Sequence, residues 1–331
     1  DLEDDPANVL EVCRSIEPNA TLEIVNNPND DTATYASRFH SKIVYVAREV
    51  STTRRLDTVL AEVHPEISRS TWQKLIKKGM VTVNGEIETS PKRAVRPVDR
   101  IESTDITRPD FSAYTLPIVY KDDNVIVINK PAGLLTHSKG ALNDEFTVAD
   151  FFRRFTSNGL DTNRPGIIHR LDRDTSGIII GALNDETAKL LKKQFSERTV
   201  KKTYFAVTSK LPPQQKGLID IPIGRNPSAP STFRADPRGK AAQTVFEVLG
   251  TARDGTALVR LQPKTGRTHQ LRVHLAHIGC PIIGDRVYGT ASDRLMLHAY
   301  QLEITIPRGQ RRVFTAPIPE VFLENFPEVS L

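Results

Sequence analysis

The segment HRLDRDTSG, residues 169–177, sets two arginines, a histidine and two aspartates around a single leucine and then breaks on Thr-Ser-Gly. Helix interiors and buried strands are rarely this charged, so the segment is predicted to be a loop. An aspartate in a loop is most often a cap or a turn former. The segment alone therefore leaves Asp172 and Asp174 open between a structural role and a catalytic one.

A second charged stretch, PKTGRTHQLRVHLAHIGCP (263–281), places Lys264, Arg267 and Arg272 around a glycine-containing loop that opens a helix. Thr268 is predicted to cap that helix. A helix N-terminus with basic neighbours is suited to bind an anion. The stretch does not match the Walker pattern, because no Gly-Lys-Ser/Thr closes the loop.

Three histidines on this helix, His269, His274 and His277, raise the possibility of a zinc site. No glutamate stands in the position that zinc proteases require, and no cysteine pair assists. We therefore predict histidines that form ordinary hydrogen bonds or face a nucleic acid, and no metal ligand. The competing hypothesis, a metal-dependent hydrolase, predicts bound zinc.

The composition sets broad limits on function. The chain has 331 residues, 38% of them hydrophobic, and a formal net charge of +5, which permits a polyanionic partner without requiring one. No run approaches the roughly 18 apolar residues of a membrane-spanning helix, and no secretory signal is visible. Cys13 and Cys280 are predicted to be free thiols in a reducing compartment. We expect a cytoplasmic protein without a membrane partner.

Acidic and basic residues are unevenly distributed along the chain. Residues 1–50 are acidic and include the turn-forming run NNPNDDTAT, which predicts a flexible segment. The next fifty residues are basic. RRLDTVLAEV has apolar residues at a helical spacing, at Leu56, Val59, Leu60 and Val63.

A second helix is predicted over SRSTWQKLIKKG, with Ser68 or Ser70 as its cap and Gly79 as its end. Its inner face is Trp72, Leu75 and Ile76. VTVNG then predicts a hairpin with an Asn-Gly turn. Several basic residues fall outside the apolar stripe, and a solvated helix face is the alternative to a nucleic-acid contact: Arg55, Arg69, Lys74, Lys77 and Lys78.

From Pro117 onward strands and helices mix without strict alternation. IVYKDDNVIVINKP predicts two strands around a turn, and TYFAVTS and TALVRLQP have strand character. Asn184 or Asp185 is predicted to open a helix. The fold class is therefore α+β, with a mixed, largely antiparallel sheet flanked by helices rather than a doubly wound parallel sheet.

Taken together, these segments resemble two known families. Residues 54–103 resemble the S4 RNA-binding domain, a small helix-helix-hairpin module. The remainder resembles RluA-type pseudouridine synthases, from about Pro117 to Pro319. The segments that carry the second resemblance are HRLDRDTSG, NKPAGLLTHS (129–138), KKTYFAV (201–207), TGRTHQLRVHLAHIGCPIIGDRVYG (265–289) and LMLHAYQLEI (295–304). The resemblance implies the pseudouridine synthase fold and a division into residues 1–50, an S4-type domain at 51–106 and a catalytic domain at 107–331.

The resemblance also implies the chemistry and the residues that perform it. Pseudouridine formation breaks the bond from ribose C1′ to uracil N1 and rejoins C1′ to C5, an isomerisation that needs no cofactor. Asp172 is implied as the catalytic carboxylate, which leaves Asp174 to shape the loop. Arg272 is implied as its guanidinium partner, with Arg267 as the alternative if the register differs.

Other residues are implied to handle the RNA. Arg170 would fill the space that a flipped uridine vacates, and Tyr204 would stack on the uracil and help the late proton loss from C5. Leu271 would pack beneath the site, and Gly177 would lack a side chain because a Cβ would crowd the loop. The remaining candidate RNA contacts are Arg267, His269, Arg55, Arg69, Lys74 and Lys78.

The expected partner is structured RNA, with large-subunit ribosomal RNA favoured by the S4-type domain, and the expected state is a monomer. Two alternatives remain at this point. The chain could be a synthase acting on transfer RNA, or a non-catalytic ribosome-assembly factor on the same fold. The sequence also leaves open whether Asp172 attacks the sugar, adds to the ring or abstracts a 2′ proton.

Overall fold

The computed structural model describes residues 53–64, 67–103, 110–138 and 145–329. The predicted flexible segment 1–50 and Cys13 lie outside the described residues. The described residues form two compact units. The smaller contains residues 53–63 and 72–103, and the larger contains residues 64, 67–71, 110–138 and 145–329.

The elements between residues 54 and 103 follow the predicted helix-helix-hairpin order. They are β1 (Arg54–Arg55), α1 (Leu56–Val63), α2 (Arg69–Lys77), β2 (Val81–Val83), β3 (Glu86–Glu88), β4 (Ala94–Val95) and β5 (Ile101–Ser103). Strand β2 pairs with both β3 and β5, and β1 pairs with β4; all three pairings are antiparallel.

Local sequence signals explain where these elements begin and end. The Ser68 hydroxyl accepts a hydrogen bond from the Thr71 amide at 3.3 Å, so Ser68 rather than Ser70 caps α2. The Asn84-Gly85 pair has φ angles of 55° and 84°, which makes the turn between β2 and β3. Of the apolar residues at helical spacing in α1, Leu56 and Leu60 are buried, whereas Val63 ends the helix and is 66% exposed.

The larger unit is built on strands joined by short helices. Its elements are β6 (Ile118–Lys121), β7 (Val125–Lys130), α3 (Val148–Phe152), β8 (Ser176–Ala182), α4 (Asp185–Ser196), β9 (Lys201–Thr208), β10 (Lys216–Asp220), β11 (Ile223–Arg225), β12 (Phe233–Ala235), β13 (Gln243–Thr251), β14 (Ala257–Pro263), α5 (Gln270–His277), β15 (Leu297–Ile306) and β16 (Gln310–Thr315). Short 3-10 turns cover Pro307–Gly309 and Glu320–Phe322.

One nine-stranded sheet dominates this unit. Its order is β10-β13-β14-β9-β15-β8-β7-β6, with β16 paired to β15. The β15–β8 pairing is parallel and the other pairings in this sheet are antiparallel, as the mixed, largely antiparallel prediction requires.

Both faces of the sheet are covered. Alternate residues of β7 and β8 divide between two buried clusters: Ile126, Ile128 and Ile179 pack with α3, and Val125, Val127, Ile178 and Ile180 pack with α4. Helix α4 is capped by Asn184, whose side chain accepts the Thr187 amide at 2.9 Å. Helix α5 packs through Leu271 and Leu275 on a third cluster formed with β9 and β14. The α+β fold class is confirmed.

Strand order brings the charged motifs together. The segment 169–177 leads directly into β8, and Gly177 pairs with Ala299 of the neighbouring β15. Tyr204 of β9 pairs with Ala299 from the other side. Gly177 has φ 112°, and a Cβ there would lie 2.1 Å from the Ala299 carbonyl oxygen, which confirms the predicted crowding.

The start of α5 differs from the prediction. The residue at its N-cap is His269, not Thr268, and it adopts a left-handed backbone with φ 56° and no side-chain capping bond. Such a conformation is uncommon for a non-glycine residue and needs support from its surroundings. That support comes from the site described next.

Candidate active site

A cleft of about 450 Å³ opens between the 169–177 loop, strand β9 and the start of α5. Seven residues of the larger unit that the resemblance implies for catalysis, RNA contact or packing beneath the site line this cleft. These residues are Arg170, Asp172, Tyr204, Arg267, His269, Leu271 and Arg272.

Hydrogen bonds from Lys130 and Thr136 anchor the loop that carries Asp172. The Lys130 ammonium is fully buried and donates to the carbonyl oxygens of Pro131, Leu134 and Arg173, each at 2.8 Å. Burial lowers the pKa of Lys130 to about 7, against the attraction of Asp174 and Asp172. The Thr136 hydroxyl donates to the Leu171 carbonyl at 2.8 Å, which holds the residue next to Asp172.

His169 supports the loop rather than the chemistry. Its Nε2 accepts the Ile180 amide at 3.1 Å, and its ring stacks on Phe195 with centroids 4.7 Å apart. Burial lowers the pKa of His169 to about 3, so this ring is neutral at neutral pH. His169 therefore anchors the loop to β8 through Ile180 and to α4 through Phe195.

Asp172 lies beside a guanidinium, as predicted, but the pair is not isolated. Arg272 Nη1 is 3.6 Å from Asp172 Oδ2, and the two side chains are 8% and 19% exposed. A tighter contact runs from Arg272 to Asp285, with Nε to Oδ2 at 2.8 Å and Nη2 to Oδ1 at 2.7 Å. Arg272 is therefore clamped by Asp285 and offers its remaining nitrogen to Asp172.

Asp285 is a site residue that the sequence reasoning missed. Its Oδ1 also accepts the amides of Val287 and Tyr288 at 2.9 and 3.0 Å. Burial acts to raise the pKa of Asp285, but the hydrogen bonds and charge of Arg272 outweigh it and lower that pKa. Its only signal in the sequence is the block GDRVYG, residues 284–289, which forms part of the resemblance to the synthases.

Tyr288 is the second residue missed. Its ring lies under the Arg272 guanidinium at 5.1 Å, and its hydroxyl is 2.8 Å from His269 Nδ1. The same hydroxyl oxygen accepts the Phe233 amide at 2.8 Å. His269 in turn places Nε2 3.9 Å from Asp172 Oδ2. These contacts hold His269 in its left-handed backbone conformation.

Strand β9 contributes two polar side chains to the cleft. Tyr204 and Lys202 are two residues apart, so both project from the same face of the strand. Burial, followed by the charge of Asp172, raises the pKa of Tyr204, so its phenol is neutral at neutral pH. Burial lowers the pKa of Lys202 to about 8, and its Nζ donates to the Thr265 carbonyl at 3.2 Å. Lys202 is a third site residue that could not be recognised from the sequence.

The sequence of the chain is clearly similar to those of known proteins. A family model described as RNA pseudouridylate synthase matches residues 124–277. An uncharacterized RNA pseudouridine synthase of Aquifex aeolicus is 36% identical over 290 residues, covering 81% of this chain and 91% of that protein. The chain belongs to the RNA pseudouridine synthase family. Its enzyme class is therefore that of the isomerases that convert uridine to pseudouridine in RNA.

Further relatives agree with the fold of the synthase. The ribosomal large subunit pseudouridine synthase D of Haemophilus influenzae is 36% identical over 293 residues, covering 82% of this chain and 90% of that protein. The solved structure of human RNA Pseudouridylate Synthase Domain Containing 1 superposes with a TM-score of 0.52 at 29% identity, covering 64% of this chain and 86% of that one. The S4 domain model matches residues 54–101.

The S4 segment of the synthase presents its predicted RNA contacts in two ways. Arg69, Lys74 and Lys78 are exposed on or next to α2. Arg55 instead donates two side-chain hydrogen bonds to the buried Asp57, of 2.9 and 2.8 Å. Its side chain remains 40% exposed, so it combines a structural bond with an accessible face.

The histidine cluster does not assemble a metal site in the synthase. His274 is buried, with Nδ1 2.9 Å from the Thr244 hydroxyl and Nε2 2.9 Å from the Ile221 carbonyl, so protein groups occupy both ring nitrogens. His277 is exposed at the far end of α5. Among the described residues, no group of three or more His, Cys, Asp and Glu side chains could hold a metal ion. Nor does the described part of the chain contain a helix long and apolar enough to cross a membrane.

Proposed function

We propose that this synthase isomerises uridines in large-subunit ribosomal RNA, with Asp172 as the catalytic carboxylate. The observation that carries the proposal is the pairing of Asp172 with Arg272 in the cleft, at 3.6 Å. The ribosomal target is supported by the named Haemophilus relative and by the S4 segment. We further propose residues 51–106 as the RNA-binding domain of a cytoplasmic monomer and residues 107–331 as its catalytic domain.

The chemistry follows from how the charges are placed. Sugar attack, ring addition and glycal formation each use a carboxylate beside the ribose or uracil. A carboxylate partly withdrawn from water tends to gain a proton, and an adjacent guanidinium opposes this. Arg272 serves Asp172 in this way, while Asp285 prevents the guanidinium from turning away.

The remaining cleft residues receive the flipped nucleotide. Extruding a uridine from a helix costs on the order of a few kcal/mol, and the exposed guanidinium of Arg170 is available to stack in its place. Tyr204, as a neutral phenol, offers a face for the uracil ring. Since its pKa is raised, we assign it to stacking and hydrogen bonding rather than to service as a phenolate base.

The deciding experiment measures tritium release from RNA labelled at uridine C5, because the new C1′–C5 bond expels that hydrogen. Large-subunit ribosomal RNA from cells lacking the protein should release tritium with the wild type. Asp172→Asn should reduce release to background while RNA binding changes less than about threefold, since it removes the reactive charge but keeps the shape.

Asp174→Asn is the matched control, because Asp174 lies exposed in the same loop and asparagine keeps its turn-forming character, so activity should be retained. Activity retained by Asp172→Asn would overturn its catalytic role. Release from transfer RNA alone would overturn the ribosomal target. Complementation of a null strain by Asp172→Asn would favour an assembly factor.

A further inference from the structure

His269 occupies an unexpected place for an RNA contact. Its side chain is 17% exposed, and its Nε2 points to Oδ2 of Asp172 at 3.9 Å. The Arg272 nitrogen that faces Asp172 approaches the same oxygen, at 3.6 Å. Two nitrogen groups therefore converge on Oδ2, and neither approaches Oδ1 as closely.

The hydrogen bonds around Tyr288 decide which nitrogen of His269 carries the proton. The Phe233 amide can only donate, so the Tyr288 hydroxyl oxygen accepts that bond. The Tyr288 proton is then directed to His269 Nδ1, 2.8 Å away. Nδ1 accepts, and the ring hydrogen of neutral His269 lies on Nε2, facing Asp172. The opposite tautomer would set a nitrogen lone pair against the carboxylate.

The ring is neutral for a physical reason. Burial lowers the pKa of His269, and the attraction of Asp172 does not compensate for it. A neutral N–H donor can orient the carboxylate without adding a second full positive charge beside Arg272. The His269 N–H group thus fixes the orientation of the Asp172 carboxylate and adds no full positive charge beside it.

The turn that carries Asp285 and Tyr288 orients both Arg272 and His269. Asp285 clamps Arg272 and also accepts the Tyr288 amide at 3.0 Å, while the Tyr288 hydroxyl bonds to His269. The Phe233 ring meets His269 edge-on with centroids 5.5 Å apart. The two donors that face Oδ2 consequently share a common support.

We propose that the two oxygens of Asp172 have different roles: Oδ2 is held between Arg272 and His269, and Oδ1 is the oxygen presented to the uridine. His269 is thus a positioning residue, with its tautomer set by Tyr288 and the Phe233 amide. The 3.9 Å separation is longer than a hydrogen bond, and we expect the contact to shorten when a nucleotide fills the cleft, because catalytic contacts often tighten in occupied sites. This inference rests on the proposed catalytic role of Asp172.

The first test separates positioning from RNA contact by comparing two substitutions. His269→Asn tolerates the left-handed backbone but cannot place a donor where Nε2 lies. His269→Gln reaches that place with its amide nitrogen. We expect His269→Asn to lower kcat on the order of 10- to 100-fold, the size of effect that misplaced catalytic groups produce, with the RNA Kd within twofold of wild type. His269→Gln should recover most of kcat.

Three outcomes would overturn the inference. A raised Kd with unchanged kcat would make His269 an RNA contact. Equal losses in the Asn and Gln variants would make it merely structural, and wild-type kcat in His269→Asn would leave it without a role. His277→Asn is the matched control, because this exposed histidine lies on the same helix outside the cleft.

The second test needs no activity, so it stands even if the proposed function fails. Nitrogen-15 NMR of labelled histidines should show His269 as the Nε2–H tautomer in the wild type. Tyr288→Phe should shift it toward the Nδ1–H form, because the hydroxyl donor is gone. A wild-type spectrum with the Nδ1–H form, or one unchanged by Tyr288→Phe, would overturn the inference.

Discussion

Charged side chains at the centre of the cleft are buried and hydrogen-bonded, whereas the lysines of the S4 segment are exposed to solvent. Arg272 and Asp285 are buried, joined by two hydrogen bonds, and supported by further backbone donors. Lys74 and Lys78 lie exposed on or beside α2. A charge that must act on a reacting bond is withdrawn from water and oriented in advance. A charge that meets an RNA backbone remains hydrated until it displaces a counterion.

Breaking the buried clamp should have the largest effect on stability. Asp285→Asn leaves the buried Arg272 guanidinium with only the more distant carboxylate of Asp172, and we expect the free energy of unfolding to fall by about 3–5 kcal/mol. Urea denaturation measures this change, and tritium release should fall with it as Arg272 turns away from Asp172.

The half-exposed pair of Arg173 and Glu145 provides the comparison, since both side chains are more than 40% exposed. Glu145→Gln should cost less than about 1 kcal/mol. Equal losses in the two variants would mean that the burial of the clamp carries no extra stability.

Lys202 provides a second test of the difference between buried and exposed charges, because it lies in the cleft and its pKa is lowered to about 8. A lysine whose pKa is lower in the folded state destabilises the fold when protonated. This penalty is complete below about pH 8, shrinks as pH rises, and disappears above the unfolded pKa of roughly 10.4. Lys202→Met should therefore be more stable than wild type at pH 7, by up to about 3 kcal/mol.

The advantage of Lys202→Met should vanish by about pH 10.4, where the unfolded lysine also loses its proton. Its tritium release should fall, since the cleft loses a cation. Unfolding free energies measured from pH 7 to 10.5 check the first expectation. Lys201→Met, on the opposite face of β9 with its side chain 74% exposed, should show no comparable pH dependence. A pH-independent difference for Lys202→Met would contradict the assigned protonation.

The exposed charges of the S4 segment should give the smallest effect and one of a different kind. Replacing Lys74 and Lys78 by alanine should raise KM and reduce the salt slope of RNA binding by about 0.7 to 0.9 per lost phosphate contact. Filter binding at several salt concentrations measures the slope. Lys92 is an exposed lysine outside α2, and Lys92→Ala should leave the salt slope unchanged. An equal reduction of the slope in Lys92→Ala would show that the lysines on or beside α2 are not a specific RNA contact.

Several features could be predicted from sequence because they are local. The Asn84-Gly85 turn, the Asn184 cap and the glycine at position 177 each depend on what neighbouring backbone atoms allow. Thr268 failed as a cap because His269 is bonded through its side chain to Tyr288, nineteen positions further along. A long-range contact thus overrode a local preference.

By itself the sequence determined the helix-helix-hairpin order of residues 54–103, the mixed, largely antiparallel class of the sheet and the charged loops that line the cleft, because these follow from periodicity, turn residues and local motifs. Only the tertiary structure decided that Asp285 clamps Arg272 and that Tyr288 orients His269 toward one oxygen of Asp172. Such pairings join side chains that are remote along the chain. Their distances exist only after the strands have paired and the helix has packed against them.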